Sequence, residues 1–298
     1  MANQTVKIGE HIVGDTGPVY MMAEIGINHN GSIDIAKRLI DATFACGWHC
    51  AKFQKRTPDL CVPENQKGVI RDTPWGKITY LEYRHKVEFG AKEYSYLDKY
   101  CKEKPINWSA SVWDIPSLEF ILAYKVPFIK IPSSKITEPE LLRLAAQSGT
   151  PVVISTGMST IEEIDAAVEI LEKHSRGNYI LMHTNSVYPT PPAEANLKVI
   201  TFLKQRYKCV IGYSGHENNL EPTIVAVTLG ARMVERHISV DHNMWGSDPA
   251  ASLEVHGMDI LYGRIKQVDV IMGDGIKRIT QNELEVRKKL RGDKPAGK

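Results

Sequence analysis

Residues 209–254 read CVIGYSGHENNLEPTIVAVTLGARMVERHISVDHNMWGSDPAASLE. This stretch holds two short apolar, β-branched runs separated by a helix-like run, and a histidine follows each of them, His216 and His237. Side chains two positions apart in a strand point to the same face, so Ser214 pairs with His216 and Glu235 with His237. Two neighbouring parallel strands would therefore bring both imidazoles to one end of a sheet.

Two imidazoles at one sheet end, beside carboxylates, are suited to hold a divalent metal ion. The alternative is that each histidine only hydrogen-bonds to backbone groups, which is the common role of a single buried histidine. The matching positions of His216 and His237, each after a polar neighbour on the same strand face, favour the metal site.

The composition is that of an ordinary globular protein. The 298 residues are 43% hydrophobic and 24% charged, with a net charge of +2, so we expect no nucleic-acid partner. No apolar run approaches the ~18 residues of a membrane span, and we expect no membrane partner. The five cysteines form no CxxC pair and the first residues lack a signal-peptide core. These features predict a cytoplasmic protein with free thiols.

Strand-like and helix-like segments alternate along the chain. Buried runs such as VYMMAEIG (19–26) and VVISTG (152–157) precede amphipathic segments such as IDIAKRLIDATFACG (33–47). We count eight strand–helix units in roughly 250 residues, which is the size and unit count of an α/β protein with a (β/α)8 barrel. The alternative is an open doubly wound sheet, but no GxGxxG follows the first strand.

One barrel domain is predicted over residues 1–280, followed by a charged tail at 281–298. Residues 5–14 are predicted to form a short two-stranded ribbon before the barrel. Residues 55–92 are rich in Lys, Arg, Pro and Gly, and they are predicted as a long polar loop. A loop of this length in a compact domain is usually functional or mobile.

Every predicted strand ends in polar or charged side chains, at the face where barrel enzymes carry their chemistry. In chain order these residues are Glu24, Lys52 with Gln54, Ser111, Lys130, Ser155, Ser186, Ser214 with His216, and Glu235 with His237. Buried charges are costly unless they are paired or used, so the two lysines could be core residues paired with the two glutamates. Lysines among four hydroxyls instead favour a pocket for a compact phosphorylated acid, with the metal as Lewis acid.

Seven motifs resemble those of the sialic acid synthase family. They are AEIGINHNG (23–31), AKFQKR (51–56), STGMST (155–160), YPTPPAEANL (188–197), IGYSGHE (211–217), ERHISVD (235–241) and WGSDPAASLE (245–254). The similarity covers about residues 15–280. It implies a barrel that condenses phosphoenolpyruvate with an N-acetylated aldose, typically N-acetylmannosamine. The products are nine-carbon 3-deoxy-keto acids such as N-acetylneuraminate.

The resemblance also implies roles for individual residues. His216 and His237 would bind the divalent metal, usually manganese. The residues that match the phosphoenolpyruvate pocket are Lys52, Ser111, Lys130, Ser133, Ser155, Ser186 and Ser214. The implied catalytic groups are Glu24, Lys52, Gln54 and Asp248, with Tyr188 and Asp248 near the sugar. Glu24 is suited to stabilise a cation at the enol carbon or to take a proton from the attacking water.

The chain departs from the family pattern at two places. Lys135 stands where the family usually has an acidic residue, and it would contact the sugar. Many members also carry a C-terminal antifreeze-like domain that closes the partner's site, and we expect this chain to be a short form without it. Its partners should be small-molecule substrates, and we leave a homodimer open.

Two alternative functions remain. The first is a synthase that joins phosphoenolpyruvate to a different aldose, as the octulosonate-phosphate synthases do. A phosphorylated acceptor would need arginines at the barrel mouth, where Arg56 and Arg71 are the candidates that we identify in the long loop. Because Tyr188, Asp248 and the WGSD turn (245–248) remain, we expect an unphosphorylated six-carbon aldose or a close relative. The second alternative is a barrel that binds sugar acids without catalysis.

Overall fold

Strands of alternating inward and outward side chains form the frame of the protein. A computed structural model describes residues 4–15 and 17–292. The strands in these residues are β1 (Thr5–Ile8), β2 (His11–Gly14), β3 (Tyr20–Gly26), β4 (Cys50–Lys55), β5 (Ile70–Thr73), β6 (Gly76–Thr79), β7 (Asn107–Val112), β8 (Ile129–Ile131), β9 (Val152–Ser155), β10 (Tyr179–Thr184), β11 (Val210–Gly215) and β12 (Met233–His237).

Eight of these strands close into a parallel barrel in the order β3-β4-β7-β8-β9-β10-β11-β12, with β12 pairing back to β3. The predicted (β/α)8 barrel is therefore confirmed. The predicted ribbon is also confirmed, because β1 and β2 form an antiparallel pair with Thr5 opposite Gly14.

Helices connect the barrel strands on the outside. They are α1 (Ile33–Ala45), α2 (Pro58–Cys61), α3 (Glu64–Lys67), α4 (Tyr80–Val87), α5 (Ala91–Glu103), α6 (Ile115–Leu122), α7 (Pro139–Gln147), α8 (Ile161–Ser175), α9 (Lys198–Arg206), α10 (Glu221–Thr228), α11 (Val255–Met272) and α12 (Gln281–Arg291). Local caps explain several of the starts. The side chain of Ser32 accepts a hydrogen bond from the backbone N–H of Ile35 at the start of α1, and Thr160 forms a capping box with Glu163 at the start of α8.

The barrel interior is apolar at one end and polar at the other. On β3, Tyr20 and Met22 belong to an inner apolar cluster, and Glu24 continues the same face toward the carboxyl end. The intervening Met21 and Ala23 face outward and pack with the helices in a larger core. The ribbon contributes Val6, Ile8 and Val13 to the inner cluster. The inner cluster and the ribbon thus fill the amino end, which leaves the carboxyl end for chemistry.

The segment predicted as a long loop is more ordered than its composition suggests. Residues 58–87 contain α2, α3, the antiparallel hairpin β5–β6 and α4. Gly76 has a φ of +90° in the hairpin turn, a conformation that glycine adopts without strain. Thr79 and Glu82 form a capping box that starts α4. The spacing TxxE was visible in the sequence, but the lack of an amphipathic pattern concealed the helix that follows it.

Within the part of the chain that the structure describes, no helix combines the length and the hydropathy that a membrane crossing requires. All five cysteines are free thiols. The end of α11, helix α12 and the segment between them expose large apolar side chains, including Val270, Ile271, Ile276 and Leu290, which are 67–80% exposed. The last six residues of the predicted tail, 293–298, lie outside the described residues.

Candidate active site

The strand register brings the predicted polar residues together at the carboxyl end of the barrel. Glu24 on β3 lies opposite Lys52 on β4, and His237 on β12 lies opposite Glu24 on the other side. Ser111 on β7 has Gln54 as one neighbour and Lys130 as the other. Residues more than 200 positions apart in the chain therefore become neighbours because the barrel closes.

A cavity of about 200 Å³ opens at this end of the barrel. The predicted site residues that line it are Glu24, Lys52, Gln54, Ser111, Lys130, Ser133, Ser155, Ser186, Tyr188, Ser214, His216 and His237. Gly157 keeps one wall open, since a Cβ at this position would come within 2.3 Å of the Ser186 hydroxyl and 2.8 Å of the Ser133 hydroxyl. Any side chain at position 157 would therefore collide with both hydroxyls.

Two lysines and two glutamates alternate across the floor of the cavity. Lys52 forms an ion pair with Glu24, and its Nζ also lies 3.8 Å from an oxygen of Glu235. The Nζ of Lys130 lies 3.6 Å from the same oxygen of Glu235. All four side chains are at most 5% exposed. Both lysines are therefore buried close to glutamate carboxylates, as the alternative role of paired core residues predicted.

Both lysines also donate to hydroxyl groups of the cavity. The Nζ of Lys52 lies 2.7 Å from the Ser111 hydroxyl oxygen, and the Nζ of Lys130 lies 2.6 Å from that of Ser155. Each ammonium group thus donates to one serine hydroxyl that lines the cavity. An ammonium group with an adjacent hydroxyl is a favourable binding arrangement for a carboxylate or phosphate oxygen.

Burial and charge shift the ionisation of these groups in different directions. Burial raises the pKa of Glu24 against the opposing charge of Lys52, and the negative charge of Glu235 adds to the rise. Burial alone would raise the pKa of Glu235 also, but Lys130 and Lys52 outweigh it and hold that pKa below its usual range. Glu24 is therefore the carboxyl group whose environment favours proton uptake.

The pKa values of the two lysines are also shifted in opposite directions. Burial opposes the charge of Lys52, but Glu235 and Glu24 outweigh it and raise its pKa. Burial lowers the pKa of Lys130, and the attraction of Glu235 does not compensate for it. Lys130 has no carboxylate within hydrogen-bond distance, so it is the lysine that would gain more from a bound anion.

The two predicted metal ligands are adjacent, with ring centroids 5.4 Å apart. Nδ1 of His216 lies 2.6 Å from the backbone oxygen of Asn185 and Nε2 lies 2.7 Å from the Tyr188 hydroxyl. Nδ1 therefore carries the proton and donates it to Asn185, while Nε2 accepts from the Tyr188 hydroxyl. Burial and the neighbouring His237 lower the pKa of His216 to about 3, so its imidazole is neutral at physiological pH.

These residues fit a divalent ion with an incomplete protein ligand set. Nδ1 of His237 is buried without a hydrogen-bond partner, and the nearest carboxylate oxygen, from Asp248, is 3.5 Å away. The backbone bond of His216 is the outer support that metal-bound imidazoles usually have. Residues 4–15 and 17–292 contain no group of three or more His, Cys, Asp and Glu side chains placed to hold a metal. Water or substrate oxygens would have to complete the coordination.

Two predicted site residues do not line the cavity. Asp248 does not line the cavity, but one of its carboxylate oxygens lies 3.5 Å from Nδ1 of the lining residue His237. Lys135, predicted to contact the sugar, follows the cavity-lining Ser133 and Ser134 in a 3-10 turn, and its Nζ is directed 3.4 Å from a carboxylate oxygen of Glu138. Lys135 does not line the cavity, and its contact with the sugar stays a prediction.

Other lining residues were not in the predicted site. They include Trp113, Ser134, Met158 and Thr184. Trp113 and Thr184 stand at or just after the ends of β7 and β10, so a strict reading of strand ends could have found them. Arg56 was considered only as a phosphate ligand. Its guanidinium stacks 3.9 Å from the ring centroid of Trp113 and donates to Gln54, next to the cavity.

The fold and site together define an α/β-barrel protein with buried acid–base groups, a lysine–hydroxyl anion pocket and a histidine pair at the carboxyl end of the strands. The chain belongs to the NeuB family, whose model matches residues 39–277. The family resemblance seen in its motifs is therefore confirmed.

Several characterised relatives cover most of the chain. The N-acetylneuraminate-9-phosphate synthase of Drosophila melanogaster is 39% identical over 280 residues, which are 92% of this chain and 73% of the relative. The N,N'-diacetyllegionaminic acid synthase of Campylobacter jejuni is 33% identical over 91% of this chain and 83% of its own. The crystal structure of the N-acetylneuraminic acid synthetase of Leptospira borgpetersenii in complex with citrate superposes with a TM-score of 0.86 at 32% identity, over 97% of this chain and 98% of that one.

Proposed function

We propose that this protein is a phosphoenolpyruvate-dependent synthase that makes a nine-carbon 3-deoxy-2-keto sugar acid. The second substrate is an N-acetylated aldose of the N-acetylmannosamine type. The observation that carries the proposal is the pair of buried lysines, each beside a serine hydroxyl and next to the histidine pair. The relatives named as synthases of N-acetylneuraminate 9-phosphate and of diacetyllegionaminate support the same class of reaction.

The anion pocket explains how phosphoenolpyruvate binds. Lys130 with Ser155 and Lys52 with Ser111 each provide an ammonium donor and a hydroxyl. The two pairs serve the carboxylate and the phosphate of the same small molecule. Binding at two points fixes the methylene carbon toward the aldehyde, and such positioning contributes a large part of the catalysis of a two-substrate reaction.

The carbon–carbon bond forms when the methylene carbon of phosphoenolpyruvate attacks the aldehyde carbon, which leaves a cation at the enol carbon and an alkoxide on the former aldehyde carbon. The proton that Glu24 takes from water in the next step neutralises this alkoxide. Water then adds to the enol carbon, and the tetrahedral adduct expels phosphate by C–O cleavage. Glu24 takes the proton of that water, and the amide of Gln54 holds the carboxylate in place through a 2.9 Å hydrogen bond to Oε1. The raised pKa of Glu24 brings it closer to the range that a general base needs.

His216 and His237 would hold a divalent cation, for which manganese is our proposal because imidazole and oxygen ligands together suit it. Nε2 of His216 is the nitrogen that would bind the cation, so the Tyr188 hydroxyl, now 2.7 Å from it, would have to move aside. When bound, the cation supplies Lewis-acid activation of the aldehyde oxygen. Tyr188 stacks on His216 with ring centroids 3.9 Å apart and fixes the orientation of the imidazole. Asp248 stands behind His237 and can accept a hydrogen bond from Nδ1 after a small adjustment.

Phosphate release from phosphoenolpyruvate labelled with ¹⁸O in its bridging C–O–P oxygen tests the proposal. The assay contains manganese and a panel of aldoses with and without an N-acetyl group. We expect phosphate release only when an aldose is present. The product should have three more carbon atoms than the aldose, and the label should be in the phosphate, because the C–O bond breaks. Label retained in the keto acid would refute the mechanism, and no release with any aldose would refute the function.

Synthesis of a different sugar acid is the second candidate, supported by the diacetyllegionaminic acid synthase that is 33% identical. The aldose panel separates the two candidates by the acceptor with the highest kcat/KM. A barrel that only binds sugar acids would release no phosphate with any acceptor.

We also propose that the protein works in the cytoplasm as a homodimer. The five free thiols fit a reducing compartment. The exposed apolar side chains of Val270, Ile271 and Leu290 fit a surface that a second copy covers. Analytical ultracentrifugation should give twice the mass of one chain, and Ile271→Glu should shift the protein to a single chain. A wild-type protein with the mass of one chain would refute the dimer.

A further inference from the structure

A buried ion pair between Arg236 and Glu217 lies behind the two histidines of the candidate site. Arg236 directly precedes His237 in the sequence, and Glu217 directly follows His216. Nη1 of Arg236 lies 3.1 Å from Oε1 of Glu217, and the two side chains are 0% and 1% exposed. Arg236 is the largest fully buried side chain among the residues that the structure describes. Neither residue was in the predicted site.

The ion pair lies in a layer of the fold that is otherwise apolar. Strand alternation directs Glu235 and His237 into the barrel, so Arg236 points outward, toward the surrounding helices. The residues two positions away on the same face, Val234 and Ile238, belong to the outer apolar core. Apolar side chains in place of a buried ion pair are often neutral or even stabilising. Stability alone therefore does not explain why charged residues occupy this position.

The guanidinium of Arg236 also holds the chain that follows His216. It donates to three groups there, which are the backbone oxygens of Glu217 and Asn219 and the hydroxyl of Thr223. Strand β11 ends at Gly215, which is the residue paired with Arg236 in the β11–β12 ladder, so His216 lies just beyond the paired residues. On its other side, the backbone oxygen of His216 accepts from the N–H of Thr190 at 3.0 Å. The position of His216 thus depends on contacts outside the ladder.

The carboxylate of Glu217 occupies a space that the sequence provides for it. Its Oε2 accepts from the Tyr213 hydroxyl at 2.9 Å, and its Oε1 accepts from the Thr223 hydroxyl at 3.0 Å. A Cβ at Gly215 would come within 2.5 Å of Oε2 and 2.7 Å of Oε1, so only glycine leaves room for this carboxylate. With both oxygens bonded, Glu217 has a fixed orientation and in turn orients the guanidinium of Arg236.

We propose that Arg236 and Glu217 are positioning residues that set the separation and relative orientation of the His216 and His237 imidazoles. Arg236 is joined to His237 by one peptide bond and to the residue after His216 by an ion pair and a backbone hydrogen bond. The inference rests on the proposed function, in which the two imidazoles, with ring centroids 5.4 Å apart, hold a divalent cation. A site with few protein ligands depends strongly on their placement by supporting residues.

The test separates placement of the histidines from stability of the fold. Arg236→Met leaves the Glu217 carboxylate buried without its partner and should unfold at lower urea concentration, whereas the double variant Arg236→Met/Glu217→Gln removes both charges and should recover part of the loss. The control is Arg232→Met, because Arg232 is also a buried arginine, paired with Asp269 just before β12 at the opposite end of the barrel.

The dissociation constant for Mn²⁺, measured by calorimetry on variants that circular dichroism shows to be folded, is the first measurement. It should rise about 10- to 100-fold in Arg236→Met and stay raised in the double variant, because the contacts to the chain after His216 are still missing. The control should lose stability and keep its Mn²⁺ affinity within about threefold. If Arg236→Met does not fold, Arg236→Lys replaces it, since lysine keeps the charge and loses the forked contact.

The imidazole N–H proton of His216 gives a second measurement that needs no cation. Nδ1 lies 2.6 Å from the backbone oxygen of Asn185, so its proton should resonate far downfield in the NMR spectrum and disappear in His216→Gln. The resonance should shift or vanish in the double variant and stay unchanged in Arg232→Met. Wild-type Mn²⁺ affinity in the double variant would overturn the positioning role. If the wild-type protein binds no Mn²⁺, the proposed metal site fails, and the resonance alone then confirms or overturns the positioning role.

Discussion

Glu24 and Lys52 face each other across β3 and β4 and form an ion pair in which the two side chains are 2% and 1% exposed. Removing one partner of a buried pair leaves an uncompensated charge that typically costs about 3–5 kcal/mol of stability. A loss of activity in Lys52→Ala could therefore come from misfolding. Lys130 is the better probe of the anion pocket, because its nearest carboxylate oxygen is 3.6 Å away.

Lys130→Met should weaken the binding of phosphoenolpyruvate more than the binding of the aldose. Loss of a charge-assisted bond of about 1.5–3 kcal/mol raises KM for phosphoenolpyruvate roughly 10- to 150-fold, while KM for the aldose changes less than about threefold. Steady-state kinetics with each substrate varied in turn provide the measurement. Lys173→Met, on the outer helix α8, is the control. An equal rise of both KM values would show that Lys130 only supports the fold.

Glu24→Gln also breaks the buried pair with Lys52, so the fold of the variant is first checked by circular dichroism. The folded variant should show a lower kcat with little change in binding. Glutamine has the same shape and cannot accept the water proton, so kcat should fall about 10²- to 10⁴-fold. KM for phosphoenolpyruvate should stay within about threefold. Glu119→Gln, an exposed position on α6, is the control for the loss of a carboxylate. Wild-type kcat in Glu24→Gln would remove Glu24 from the catalytic groups.

Chelation should remove activity, and added Mn²⁺ should restore it, if the histidine pair holds the metal. His216→Ala and His237→Ala should each weaken Mn²⁺ binding by more than about tenfold, because each removes a ligand of a site that has few protein ligands. The dissociation constant from calorimetry is the measurement, and His174→Ala on α8 is the control. Full activity in excess chelator would contradict the metal site.

The free energy of unfolding should fall as the pH drops below 6.5, in part because of His29. Burial lowers the pKa of His29 to about 3, and its ring stacks on Phe89 with centroids 3.9 Å apart. The folded pKa lies below the unfolded value of about 6.5, so the contribution is complete above pH 6.5 and is lost as the pH falls toward 3. The slope per histidine is about 1.4 kcal/mol per pH unit.

Urea unfolding of wild type and His29→Gln between pH 7 and 5 measures this contribution, above the range in which most carboxylates titrate. The two proteins should differ in the slope of unfolding free energy against pH by the amount of one histidine. Parallel slopes would mean that His29 is protonated in the folded protein or is not a determinant of acid stability.

Lys135→Glu should leave acceptor preference nearly unchanged. The lysine is directed to Glu138, outside the cavity, so we expect the ratio of kcat/KM for N-acetylmannosamine and mannose to change less than about threefold. A small loss of stability is expected, because two acidic side chains then repel each other at the surface. A change of more than about tenfold, ~1.4 kcal/mol, would establish Lys135 as a sugar contact.

The sequence by itself determined the barrel and most of the candidate site. Period-two alternation and polar residues at strand ends are local properties, so Glu24, Lys52, Lys130, His216 and His237 could be assigned to one face before any contact was known. The motifs then identified the family. These predictions succeeded because each depended on short stretches whose geometry follows from the strand itself.

Only the tertiary structure decided which side chains become partners. Closure of β12 onto β3 places His237 beside Glu24, and this contact depends on packing across the whole chain. The 58–87 segment shows the same limit, because its weakly amphipathic pattern concealed the hairpin and α4 that bury Arg84. From the sequence alone, a single charged residue in a polar segment is predicted to be exposed to solvent. It becomes a buried, unpaired cation only when the fold packs other elements over it.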